Sequence, residues 1–273
     1  MTRGTRASWP WPPLLALPIV LGLLLLVVPL LALVGKVEWT SLGTDIASPE
    51  ALSALGLSLG TALLATAICL LLGAPLAIAI ARAGDRTAAL LRALVTIPLV
   101  LPPLVDGVAL LALLGRDGPL GRVLGAWGVE VPFTTAAVVL AQTFVSLPFL
   151  VLAIEGTVRA RGMALERTAA SLGAAPWTVL LRVTLPLAAP GLLAGTTLCF
   201  ARALGEFGAT AIFAGNAPGV TRTMPLAIYT AFHGTGATQS TAIALSLLLL
   251  VSAVAVLLLA RAWRPGAMAG SVR

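Results

Sequence analysis

Apolar residues in this chain fall into long uninterrupted runs, not into the alternating or one-faced patterns of a water-soluble fold. Six segments reach the roughly 20 residues that a helix needs to cross a bilayer. They are Leu14–Val34, Leu52–Ala81, Ala88–Leu114, Thr134–Ile154, Leu187–Phe213 and Gln239–Ala260. Continuous runs exclude a membrane barrel, whose strands alternate. Helices satisfy their own backbone polar groups in lipid. The pattern therefore predicts an all-α integral membrane protein with about six transmembrane helices. The first run is longer than the apolar core of a secretory signal and no small-x-small cleavage site follows it, so it reads as a retained span.

The polar positions between the runs predict an orientation. With the N-terminus inside, the inner segments hold Arg3, Arg6, Arg82, Arg86, Arg92, Arg159, Arg161, Arg167, Arg182, Arg261, Arg264 and Arg273, against Asp85, Glu155 and Glu166. The outer segments hold Lys36, Arg116, Arg122 and Arg222, against Glu38, Asp45, Glu50, Asp117 and Glu130. This asymmetry obeys the positive-inside rule. It predicts a cytoplasmic N-terminus (1–13), a transmembrane domain (14–260) with a cytoplasmic loop at 155–186, and a cytoplasmic tail (261–273).

Composition sharpens the class. Only 10% of residues are charged and 59% are hydrophobic, against about 25% charged in soluble domains. An ordinary water-soluble enzyme is excluded. The net charge of +7 is absorbed by the topology signal, so no nucleic-acid partner is called for. Cys69 and Cys199 lie in apolar runs and read as small core residues. The single histidine, His233, falls in an expected outer loop, and no metal site is expected.

The loop at 155–186 carries a helical pattern. Leu165, Thr168, Ala169 and Leu172 share one face, and Gly173 is a natural helix stop. Pro176 suits the first turn of a second helix, whose Trp177, Leu180, Leu181 and Thr184 fall on one side. Pro186 is expected to break this helix from the following span. Such a pair either rests in lipid headgroups or docks a soluble partner.

Besides Arg92, counted with the inner edge of the third span, three ionisable residues fall inside expected spans: Asp106, Arg202 and Glu206. Each costs about 2.5–3.5 kcal/mol at a helix centre. Arg202 and Glu206 are one turn apart and can pair. Pro98, Pro102 and Pro103 interrupt the third span, and irregular backbone at that depth is tolerated only against protein or a water-filled cavity. The third and fifth spans are thus the expected pathway walls, with Asp106 facing Arg202 across them. Gly56/Gly60 and Gly191/Gly195 have the spacing of close helix contacts. Gly56–Gly60 also spells the GxSxG string of serine hydrolases around Ser58, but that motif needs a strand, a turn and a nearby base. The chain has no Walker-type phosphate loop. Any ATP-driven step must use another polypeptide, so the chain itself is not expected to be an enzyme.

Residues 166–186 resemble the EAA loop of ABC-importer permeases: Glu166 and Arg167, Ala169 and Ala170, then Gly173, followed after nine residues by Val183, Leu185 and Pro186. The family's acidic or glutamine position is Arg167 here, with Glu166 one residue earlier. The stretches Phe200–Thr210 and Thr221–Tyr229 are similar to the molybdate branch of the oxyanion permeases, as are Pro98–Pro103 and Leu114–Gly121. The resemblance covers roughly residues 50–260. It implies an ABC-importer permease fold in a bacterial or archaeal cytoplasmic membrane, working as a homodimer with two ABC ATPase subunits and an extracytoplasmic oxyanion-binding protein. It implies that Glu166, Arg167, Ala169, Ala170, Gly173, Ala174, Pro176, Trp177, Val183, Leu185 and Pro186 couple to the ATPase. Pro102, Pro103, Asp106, Arg202, Gly205, Glu206, Phe207 and Gly208 are the expected pathway or gate, Asp106 on its own chemistry since the family usually has an aliphatic residue there. No cofactor is expected on this chain, with ATP and magnesium belonging to the partner. Sulfate, thiosulfate or tungstate remain alternative cargoes, and a stand-alone secondary transporter an alternative class.

Overall fold

The computed structural model describes residues 13–234 and 239–262, and the expectations for the extreme termini lie outside them. The described residues form helices and no strand. They are α1 (Ala16–Gly35), α2 (Leu42–Ile46), α3 (Pro49–Arg82), α4 (Asp85–Val100), α5 (Pro103–Leu114), α6 (Pro119–Gly125), α7 (Thr135–Arg161), α8 (Ala164–Ser171), α9 (Pro176–Val179), α10 (Leu185–Leu204), α11 (Gly208–Phe213), α12 (Met224–His233) and α13 (Gln239–Ala262).

Among the described residues, α1, α3, α7, α9–α10 and α13 are long and apolar enough to cross a membrane, and α4 and α5 meet the same test only together, as a pair bent by 111° that is either a broken span or a re-entrant loop. The bend falls where the prolines predict it. Pro98 is tolerated inside α4, Leu101 and Pro102 are extended, and Pro103 opens α5. The centre of the bundle is α3, α7 and α10, packed through Cys69, Leu150, Ile154 and Cys199. Both cysteines are buried free thiols, as expected. In contrast, α1 buries none of its apolar window.

Glycines allow the central helices to touch. A Cβ on Gly195 would lie 3.1 Å from Ala153 Cβ and from Leu150, and one on Gly191 would strike Thr157. The expected close contact is therefore present at Gly191/Gly195. Gly56 and Gly60 differ: nothing lies within 4 Å of a Cβ at either, because that face of α3 is open. Ser58, between them, is buried and its Oγ accepts a hydrogen bond from the Met224 N–H at 2.7 Å. It anchors α12 to α3 on a continuous helix, so the hydrolase string carries no catalytic geometry.

Four expected boundaries are corrected. The fourth span does not end at Ile154: α7 runs on to Arg161, because Glu155 is buried and satisfied by Arg92 and Arg159 instead of marking a solvent edge. Pro186 does not break the chain. Leu180–Thr184 form a π-helical turn in which the Leu185 N–H donates to the Leu180 carbonyl, and the helix passes over the proline. That wider turn accommodates the ring and the missing N–H. The span expected at Leu187–Phe213 stops at Leu204, and Gly205–Phe207 separate it from α11. Finally, the expected outer loop holding His233 contains α12.

Candidate functional site

At one end of the bundle α8 and α9 project as a helix pair. The chain leaves α8 by a Schellman motif: the Gly173 N–H donates to the Ala170 carbonyl at 3.0 Å, and the Ala174 N–H to the Ala169 carbonyl at 3.1 Å. That geometry puts Gly173 at φ +85°, a conformation that side chains with a Cβ disfavour. Pro176 opens α9 as expected. Leu165, Leu172, Trp177 and Leu181 are all more than half exposed. Arg167 is exposed, whereas Val183 and Leu185 are half-buried against the bundle.

A polar clasp holds the pair. Arg82 Nη2, at the end of α3, donates to Glu166 Oε1 on α8 at 2.7 Å. Thr184 Oγ1, in the π turn, donates to the same oxygen at 2.5 Å. The Arg82 guanidinium also reaches Thr184 Oγ1 at 2.6 Å. Partial burial pushes the Glu166 carboxyl up, but the hydrogen bonds from Arg82 and Thr184 outweigh it and hold the group below the ordinary glutamate value. Glu166 was legible in the sequence, whereas Arg82 and Thr184 were not read as its partners. The only signal for Arg82 was its place at the end of a long apolar run.

Deeper in the bundle, two breaks meet. The α4–α5 break at Pro102 lies against the α10–α11 break at Gly205–Phe207. A Cβ on Gly208 would lie 2.7 Å from Pro103 Cβ, and one on Gly107 2.8 Å from the Ala209 carbonyl oxygen. The two short helices thus touch backbone to backbone. Glu206, 1% exposed, accepts the Ala209 N–H on Oε1 at 2.8 Å and pairs through Oε2 with Arg202 Nη1 at 2.5 Å. Asp106, also 1% exposed, has no hydrogen-bond partner on either carboxylate oxygen and lies within electrostatic reach of Glu206 and Arg202. The expected Asp106–Arg202 contact is not formed. Arg202 turns to Glu206, which the helix places one turn away.

Gln142 on α7 is a residue that the sequence reading missed. It is fully buried and neither amide atom has a hydrogen-bond partner. Val138, Ala141 and Val145 face Ala209 and Phe213, while Val139 faces Phe200 and Ala203. At about 100° per residue, Gln142 falls between those faces, where α10 ends and α11 begins. A polar residue inside an apolar run was its only available signal. Phe207 stacks obliquely on Tyr229, with ring centroids 5.1 Å apart, and Tyr229 stacks on His233 at 4.3 Å. Among the described residues no group of His, Cys, Asp or Glu is arranged to hold a metal ion.

A bundle of apolar helices with two breaks meeting at a shared charged point, and an exposed helix pair clasped to one end, defines a multi-pass membrane protein. Comparison with known proteins gives the family. Residues 73–266 match the family model described as binding-protein-dependent transport system inner membrane component. The chain is 50% identical over 242 residues to the molybdenum transport system permease protein ModB of Mycobacterium tuberculosis, covering 89% of this chain and 90% of that one. It is 39% identical over 208 residues to the ModB of Haemophilus influenzae, covering 76% and 91%. The fold is similar to that of a bacterial ABC transporter involved in import of the acidic polysaccharide alginate, with TM-score 0.69, 19% identity, and 91% and 92% of the two chains covered. The chain belongs to the binding-protein-dependent permease family.

Proposed function

We propose that the chain is the membrane permease of an ATP-driven importer of molybdate. The observation that carries this reading is the 50% identity, across nearly the whole chain, to a protein named for molybdenum transport. Two copies enclose the pathway, and an extracytoplasmic binding protein delivers the oxyanion at the end bearing α6 and α12. Separate ATPase subunits, which hold the ATP and magnesium, dock on α8 and α9. The N-terminus and the α8 end are cytoplasmic, in keeping with the charge asymmetry.

The geometry supports a mechanical link between the two sites. The clasp joins α8 to Thr184, and α10 begins at the next residue and runs to the turn bearing Arg202. Eighteen residues at 1.5 Å each make a rod of about 27 Å. A tilt imposed on α8 by the ATPase would move the far end of α10 and, through Gly205–Phe207, shift α11 against α5, where Gly208 and Pro103 meet. Arg202 offers the oxyanion an attractive charge in a low-dielectric wall. Glu206 partly neutralises it, so the anion is drawn in without being trapped.

The test is elemental. Deleting the gene and growing the cells in limiting molybdate should lower cellular molybdenum selectively by mass spectrometry, with rescue by excess molybdate. A fall in sulfur instead would move the cargo to sulfate, and a fall in neither, with no loss of tungsten, would reject an oxyanion importer.

A further inference from the structure

A cavity of about 660 Å³ opens between the C-terminal end of α5, the short helix α6 and the turn that precedes α7. It is separate from both sites above. Its lining combines apolar Leu111, Leu114 and Phe133 with charged Arg116, Arg122 and Glu130. Arg116 is paired with Glu130 at 3.2 Å through one amino group only. Arg122 uses Nε and one amino group on the Asp117 main-chain carbonyl, at 3.1 and 2.9 Å. An arginine carries five N–H donors, so both guanidiniums keep donors for an incoming anion.

Phe133 adds an independent observation. It is the one described residue other than glycine with positive φ, at 62°, and the residue is 62% exposed. Aromatic residues occupy that region rarely and at a cost, and such strain concentrates at ligand clamps. The conformation is fixed from below by a hydrogen bond from its N–H to the Phe213 carbonyl at 3.2 Å. Gly215 makes room for the ring, since a Cβ there would lie 3.2 Å from Phe133 Cδ1.

The location selects the ligand. Leu114 is the last residue of a half-span, so the cavity sits where hydrocarbon meets headgroups. Exposed Val123 and Trp127 lie between its lining residues in sequence, and tryptophan favours that depth. An inorganic oxyanion would use the arginines and waste the apolar lining, whereas a lipid uses both. We propose that this cavity is a binding site for an anionic phospholipid, with its phosphate on Arg116 and Arg122 and an acyl chain along Leu111, Leu114 and Phe133.

The full-length protein, purified in mild detergent, would be offered equimolar phosphatidylglycerol and phosphatidylcholine and read by native mass spectrometry. Two interfacial arginines should favour the anionic lipid on the order of tenfold, with one molecule retained per chain. The double variant Arg116→Gln/Arg122→Gln should lose that preference. Arg116→Lys/Arg122→Lys, which keeps both charges, and Arg86→Gln at the other end of the bundle should retain it. Monodisperse elution of each variant guards against misfolding. Equal retention of the two lipids by the wild type, or an unchanged preference in the Gln double variant, would overturn the proposal. So would displacement of phosphatidylglycerol by millimolar molybdate, which would make the cavity a site for the cargo anion. Failure of the transport reading leaves the lipid measurement unaffected.

Discussion

Arg82 and Glu166 are separated by 84 positions in the chain and meet at 2.7 Å, tying the end of the 34-residue helix α3 to the projecting pair α8–α9. The Arg82 side chain is 34% exposed and Glu166 only 13%. Water screening on the arginine side reduces the contribution of a charge-assisted bond to about 1 kcal/mol. Removing it should not unfold the bundle. Arg82→Gln should instead lower transport per ATP hydrolysed about fivefold, the equilibrium shift that such an energy allows. Uptake and ATPase rate measured in the same reconstituted vesicles check this, and an unchanged ratio would sink the clasp.

The clasp also carries a pH dependence. Glu166 is held below the ordinary glutamate value. Its stabilising effect is therefore fully present above that value, about 4.3, and is lost as pH falls through the lowered one. Between pH 7 and pH 5 the loop should stay anchored. In Arg82→Gln the largest remaining influence is burial, which favours the neutral acid, so release should begin at a higher pH than in the wild type. Limited proteolysis across 162–175 as a function of pH reads both. A release midpoint unmoved by the substitution would contradict this account of Glu166.

Gly173 offers a sharper uncoupling lesion. Its φ of +85° closes the two hydrogen bonds that end α8. Valine there would be strained by about 1–3 kcal/mol, enough to unwind the last turn of α8 and misplace Leu172 and Trp177. Space is not the obstacle, since nothing lies within 4 Å of a Cβ at this position. Gly173→Val should insert at normal yield, hydrolyse ATP with its partner and transport little. Coupled uptake at the wild-type level would show that α8 and α9 are not the docking element.

The spans were legible because bilayer thickness imposes a length that few sequences meet by chance. The proline break before α5 was legible because proline removes a donor wherever it sits. Pro186 shows the limit of that rule: whether a helix breaks depends on whether the preceding turn can widen, and the π turn at Leu180–Thr184 is not written in hydropathy. The break at Gly205–Phe207 was missed for a related reason. A buried carboxylate that binds the Ala209 N–H lets the helix restart within three residues, without a run of polar positions. The Arg202–Glu206 pair is visible from spacing alone. Asp106 lies near Arg202 without touching it, a distinction lost at that level because sequence carries no direction for a side chain on another helix.

Glycine packing separates two positions that look alike in sequence. Alanine at Gly208 would bring its Cβ to 2.7 Å from Pro103 Cβ, part of a rigid ring that cannot rotate aside. Overpacking of this kind costs about 1–3 kcal/mol. At Gly56 the same methyl meets open space, and alanine should be neutral or stabilise the helix by up to about 1 kcal/mol. Thermal unfolding in detergent should therefore show a lowered midpoint for Gly208→Ala and none for Gly56→Ala. Equal effects would mean that α5 and α11 are not in tight contact.

The decisive substitution for the pathway is at Arg202, because a structural ion pair and a transport residue lead to different double variants. Arg202→Gln strands Glu206, which is 1% exposed and keeps only the Ala209 N–H as a charge-stabilising partner. An unpaired buried charge is costly, so some folded yield is lost whichever role Arg202 has. Adding Glu206→Gln removes the stranded charge and should restore yield in Arg202→Gln/Glu206→Gln. If Arg202 supplies the charge that draws the oxyanion inward, uptake in that double variant should stay at least tenfold below the wild type at equal folded protein, the loss that about 1.4 kcal/mol would give. Fluorescence-detected size-exclusion measures the yield, and molybdenum uptake into vesicles holding the assembled transporter measures the flux. Recovery of both together would reduce Arg202 and Glu206 to a self-neutralised strut and leave the pathway to the uncharged residues around the two breaks.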